Sequence, residues 1–154
     1  MDIVFCKSKW EMWDDPLEVF LQRVTRCGYA ATEIYLQSLR EPPEEIAALH
    51  REHGLGLVAQ VFTEGTAPTD HVRSLEEQFE VALRCGAVLA NCHAGRDTFT
   101  FEENTVIFQR LIDLTNETGV PLLVETHRRR PTYSATETRR YLSAITLLLP
   151  GAAS

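Results

Sequence analysis

Short apolar runs recur along the chain at Ile3–Cys6, Ala31–Leu36, Leu57–Phe62, Val88–Cys92 and Leu122–Val124. Each is followed by a longer segment whose apolar residues return with helical spacing. The runs are nearly continuous rather than alternating, which is how strands read when helices cover their sheet. Right-handed crossovers then make that sheet parallel. Helix starts are marked by a capping residue three positions before a glutamate, at Asp15 (before Pro16) with Glu18, Thr100 with Glu103 and Ser134 with Glu137. Stops are marked by Gly28, Gly54, Gly86, Gly119 and Gly151, spaced by 26, 32, 33 and 32 residues, about one βα unit apiece. The pattern predicts an α/β protein of five consecutive parallel βα units, forming one domain over residues 1–154.

In parallel α/β folds, ligands sit at the carboxyl ends of the strands. The residues expected there are polar. Lys7, Lys9 and Trp10 follow the first run and Glu33 lies in the second; Gln60 and Glu64 fall at or after the third. Asn91 and His93 close the fourth, and "GVPLLVETHRRR" carries the fifth into Glu125, His127 and Arg128. Alternation along a strand puts Glu125 and His127 on one face. Taken singly, each has a plain reading: Glu125 as a solvated loop carboxylate or an arginine's partner, His93 as a hydrogen-bonded imidazole, and Arg128, Arg129 and Arg130 as a solvated charge run. Guanidiniums at such a rim also suit carboxylate or phosphate. Four successive strands delivering metal- or proton-competent groups to one rim is what raises the chemical reading. His50, His53 and His71 are expected on helices or loops at the opposite end, without a role.

Composition narrows the classes. With 44% hydrophobic and 24% charged residues, the chain has enough apolar surface for a real core. No apolar run approaches the roughly 20 residues of a membrane span, and "MDIVFCKSKW" is too briefly apolar for a signal peptide, so a cytoplasmic protein is expected. Cys6, Cys27, Cys85 and Cys92 form no C-x-x-C pair, which points to reduced thiols rather than a zinc ribbon or disulfides. A net charge of -7 repels a phosphate backbone, so nucleic acid is not an expected partner.

"NCHAGRDTFTFEEN" after the fourth run and "GVPLLVETHRRR" through the fifth resemble the xylose isomerase-like TIM barrels, the sugar phosphate isomerases and epimerases, and "GYAATEIYL" is similar to that family's second strand. The likeness covers about Ile3 to Ser143. It implies that Glu125 binds a divalent metal and acts as one of two acid/base carboxylates, with His93 as a second catalytic group. Glu33, His127, Arg128 and Lys7 would contact a small sugar or sugar phosphate. The chemistry implied is proton removal beside a carbonyl with the enediolate stabilised by Mn²⁺ or Mg²⁺, or by Zn²⁺ or Co²⁺.

Such barrels have eight units in about 250 residues, whereas five are counted here, so the resemblance implies an incomplete barrel. The later strands' Asp, two His and second Glu are missing, which predicts weak metal binding and impaired or absent turnover. Open sheet edges and an uncovered apolar face predict self-association as a homodimer. Two further readings stand beside this one. One is a non-catalytic α/β binding module; the other is an apurinic-site endonuclease-like barrel, which the acidic charge and missing ligands fit badly.

Overall fold

The computed structural model describes residues 3–148. Along the chain run β1 (Cys6–Ser8), α1 (Leu17–Arg26), β2 (Ala31–Tyr35), α2 (Pro43–Glu52), β3 (Gly56–Phe62), α3 (Pro68–Arg84), β4 (Leu89–His93), α4 (Phe101–Thr118), β5 (Leu122–Val124) and α5 (Ala135–Leu148). The five strands are parallel, in the order β1-β2-β3-β4-β5, and alternate with helices. The expected βα repeat is therefore present. The first strand differs from expectation. It begins at Cys6, not Ile3, because the register sets Cys6 opposite Ala31, where β2 begins. Earlier residues have no β2 residue to pair with, and Ile3, Val4 and Phe5 stand 73%, 63% and 68% exposed.

Caps behave unequally. At α4 both halves of the capping box form: the Glu103 N–H donates to Thr100 Oγ1 at 3.2 Å and the Thr100 N–H to Glu103 Oε2 at 2.7 Å. At α5 the Glu137 N–H donates to Ser134 Oγ at 3.2 Å. The box expected at Asp15 is absent. Pro16 is the N-cap residue of α1, without a side-chain cap, and the Asp15 carboxylate takes a hydrogen bond from Arg23 at 2.6 Å instead. Gly119 closes α4 at φ +73, its N–H donating to Thr115 O at 2.8 Å. Gly28, Gly54 and Gly86 are left-handed as well, while Gly151 lies outside the described residues.

The chain divides into two compact units, Met1–Val61 with Glu77–Asn91 and Phe62–Glu76 with Cys92–Ser154. In the first, α1 buries the stripe Leu17, Phe20, Leu21 and Val24, spaced for one helical face. Each such side chain contributes roughly 1.5–3 kcal/mol by leaving water. On β2, Thr32 and Ile34 are buried, while Glu33 between them is only half-buried. The buried face is tied to α2: His50 Nδ1 lies 2.8 Å from the Ile46 carbonyl, which can only accept, so Nε2 takes the Thr32 hydroxyl proton at 2.9 Å. Between β3 and β4 in this unit, the Val88 N–H donates to Leu57 O at 2.9 Å.

In the second unit, Ile107, Phe108, Leu111 and Leu114 form the buried stripe of α4. Tyr141 of α5 packs edge-on to Phe108 (5.0 Å) and stacks on Phe101 (4.8 Å). The strand ladder continues here through Thr63 N–H to His93 O (3.2 Å) and Glu125 N–H to Cys92 O (3.0 Å). That second bond fixes where the Glu125 carboxylate stands.

Candidate active site

Because Glu125 hangs from the Cys92 carbonyl, it stands beside the next residue of β4. Cys92 itself points into the core, where burial pushes its thiol up to about 12 and leaves it inert. His93 takes the other face. Its Nε2 lies 3.1 Å from Glu125 Oε2, and since the carboxylate accepts, Nε2 carries the proton. The imidazole is fixed by the edge of Phe62 (centroids 4.5 Å apart, 75° between planes) and by the His127 ring (4.4 Å, 32°). Burial lowers the His93 pKa, Glu125 pulls it back up, and His127 and Arg130 lower it further. The balance favours a neutral ring that donates through Nε2. In His127, Nδ1 lies 2.8 Å from the Arg128 carbonyl, so Nδ1 carries the proton and Nε2 of the neutral ring is an acceptor.

The second unit thus brings together His93, Glu125 and His127. Arg128 comes after them, exposed. In the first unit, Glu33 accepts a hydrogen bond from Asn91 Nδ2 at 3.0 Å. Its charge, after burial, helps push the Cys6 thiol up to about 11. Trp10 donates its indole N–H to Gln60 Oε1 (3.0 Å) and stacks with Trp13 at 5.1 Å. Lys7 is held in an ion pair with Glu11 and sits in register with Thr32, so alternation puts it on the face opposite Glu33. Lys9 is buried, its ammonium donating to the carbonyls of Met12 (3.1 Å), Trp13 (2.9 Å) and Asp15 (2.9 Å). It lines a cavity of about 480 Å³ with Trp13, Asp14, Asp15, Ser38, Arg40 and Glu41, which none of Glu33, His93, Glu125 and His127 lines.

The expectation for His71 is corrected. It occupies the first turn of α3, and the first turn of a helix after a parallel strand lies at that strand's carboxyl end. There it is 1% exposed, with Nδ1 2.7 Å from Thr63 Oγ1 and Phe99 edge-on at 5.0 Å. Burial first, then the Arg130 charge, lowers its pKa, while the Gly65 carbonyl raises it; even so, Nε2 makes no bond of good geometry. Position relative to the preceding strand was the signal available in the sequence. Arg130 and Asn104 were also missed as organisers. Half-buried Arg130 donates through one nitrogen to the carbonyls of Thr63 (3.0 Å) and Gly95 (2.7 Å). Asn104, fully buried, accepts from the Arg96 N–H (3.1 Å) and donates to Arg96 O (2.9 Å), tying off the β4–α4 loop.

Among the described residues no group of three or more His, Cys, Asp or Glu is placed to hold a metal ion. Glu125 Oε2 is engaged by the His93 N–H. These residues do not by themselves fit a divalent cation.

No protein-family model matches the sequence, and no curated protein matches it. Solved structures do. A xylose isomerase domain-containing protein from Salmonella typhimurium superposes with a TM-score of 0.74 at 20% identity, over 94% of this chain and 58% of that one. The IolI protein, in a structure with a binding zinc atom, gives 0.73 at 12% identity, over 94% and 59%. Endonuclease IV from Thermus thermophilus gives 0.61 at 19%, over 90% and 58%. The chain spans a little under 60% of the length of these structures. Over that span, five parallel βα units give it the fold of the xylose isomerase-like TIM barrels.

Proposed function

We propose that the chain carries the proton-transfer pair of a sugar or sugar phosphate isomerase/epimerase-like protein. The observation that supports this reading best is the Glu125–His93 pair, 3.1 Å apart at the carboxyl ends of β5 and β4. Moving a carbonyl along a sugar, or inverting the carbon beside it, begins with loss of a proton next to the carbonyl. Glu125 is the base. Neutral His93 holds the carboxylate in one orientation through Nε2–H, and the free Nε2 of His127 accepts a substrate hydroxyl. Arg128 is the remaining substrate contact that this unit offers. A divalent ion, Mn²⁺ or Mg²⁺ before Zn²⁺ or Co²⁺, would stabilise the enediolate oxygen. Glu125 alone offers it a weak hold, so turnover by this chain is expected to be poor.

The test is the first half-reaction. Aldoses, ketoses and their phosphates are incubated in D₂O and deuterium entry beside the carbonyl is tracked by NMR. Slow, Glu125-dependent entry abolished by Glu125→Gln is the expected result. Exchange no faster than in buffer across the panel would refute the assignment.

A further inference from the structure

We infer that Arg130 is a positioning residue that sets the geometry of the Glu125–His93 pair by stapling the ends of β3 and β4 to the loop after β5. The inference rests on reading that pair as the reacting groups. A pair held at 3.1 Å across two strand ends requires those ends to stay in register, and β5 is only three residues long. The ladder alone gives it little purchase. The loop after β5 is closed by turns: Thr132 Oγ1 donates to Glu125 O (3.0 Å), the Arg130 N–H to His127 O (3.2 Å) and the Tyr133 N–H to Arg130 O (3.1 Å). From within these turns the Arg130 guanidinium reaches out, one nitrogen donating to Thr63 O (3.0 Å) and Gly95 O (2.7 Å).

Those two acceptors flank His93. Its carbonyl takes the Thr63 N–H at 3.2 Å and the Thr63 hydroxyl at 3.3 Å, while the Gly95 N–H donates to that hydroxyl at 2.9 Å. One side chain from the Glu125 loop therefore holds both Thr63, which bonds the His93 carbonyl, and Gly95, which bonds the Thr63 hydroxyl. A second link, Asp97 N–H to Arg129 O at 3.4 Å, joins the same loops. Arg130 is half-buried, burial lowers its pKa, and among the described residues it forms no ion pair within 4 Å. A hydrophobic side chain of similar volume would avoid that desolvation but give up the bonds to the Thr63 and Gly95 carbonyls, so what the guanidinium adds is one donor that holds the two together.

The test uses the whole chain with ¹⁵N-labelled histidine, reading the His93 Nε2–H resonance, which only a maintained bond to Glu125 protects from exchange with water. Arg130→Met is expected to keep the fold by circular dichroism yet lose this resonance. Arg130→Lys, whose ammonium can still donate to both carbonyls, is expected to keep it. A Met variant with the wild-type resonance would overturn the inference. If Arg130→Met does not fold, Arg130→Gln, too short for both carbonyls, is read in the same way, and unfolding of both would equally overturn it. The resonance needs no turnover, so failure here is separable from failure of the deuterium exchange that tests the function.

Discussion

Replacing Asn104 with leucine removes a carboxamide from a fully buried site while keeping the branch at Cγ. The side chain organises the segment between β4 and α4. Its Oδ1 takes the Arg96 N–H (3.1 Å), and its Nδ2 faces the carbonyls of Arg96 (2.9 Å), Thr100 (3.2 Å) and Phe99 (3.4 Å) and the Tyr141 hydroxyl (3.3 Å). Two of these acceptors keep other partners, since Arg96 O also accepts from Phe99 N–H and Thr100 O from Asn104 N–H. The Arg96 N–H does not. The loss is then one stranded donor and about two hydrogen bonds, about 3 kcal/mol together. For a chain of this size that lowers Tm by about 6–12 °C. Gly95 gives an independent handle, because it sits at φ +69 and an added Cβ would come within 2.2 Å of Asn104 Oδ1 and 3.2 Å of Pro131 Cγ. Gly95→Ala should be destabilising by itself, and Gly95→Ala with Asn104→Ala should cost less than the sum of the singles, because the shorter side chain removes the worst clash. Thermal and urea unfolding of Asn104→Leu and of the four proteins of the cycle measures this. A cost below about 0.5 kcal/mol for Asn104→Leu, or strict additivity in the cycle, would refute the reasoning.

Three further outcomes are expected. Burial lowers the pKa values of His50 and His71, so the unfolded chain takes up protons near pH 6.5 while the native imidazoles resist. Stability should therefore be flat above pH 6.5 and fall below it, as urea midpoints at pH 7.5 and 5.5 would show; equal midpoints would contradict it. Calorimetry should find Mn²⁺ binding weaker than micromolar, and micromolar affinity lost in Glu125→Gln would mean that the site holds metal better than its described donors suggest. With Leu123 51% and Val124 37% exposed on the last strand, the proposed homodimer should scatter light at low micromolar concentration as twice 17.4 kDa. A monodisperse monomer would end that idea.

Much of the framework was legible because it is local. Left-handed glycines after apolar stripes and the Thr100 box each depend on a few neighbouring residues, and the strand runs fell within a residue or so of β2 to β5. β1 slipped by three residues because a parallel strand begins where its partner begins, a property of Ala31 as much as of Ile3. Asp15 misled because a carboxylate near a helix start can serve either the backbone or an arginine one face away, and Arg23 took it. At the site, strand alternation paired Glu125 with His127, and its place at the end of the fourth run put His93 on the same rim. Neither signal could find Arg130, whose partners Thr63 and Gly95 lie 67 and 35 residues away in the chain, or His71, tied to Thr63 across 8. Lys9 shows the converse: it is polar and close to a strand end, yet its three donors are spent on Met12, Trp13 and Asp15.

The neighbours Thr32 and Glu33 answer to different masters. Thr32 is welded to α2 through His50, while Glu33, one peptide further on, takes its hydrogen bond from Asn91 at the edge of the buried layer. A scan of every substitution along β2 should thus read as a two-beat rhythm, with intolerance at Thr32 and Ile34 and latitude in fold at Glu33. A strand built in this way can change what it presents at position 33 without reopening the question of whether the protein folds.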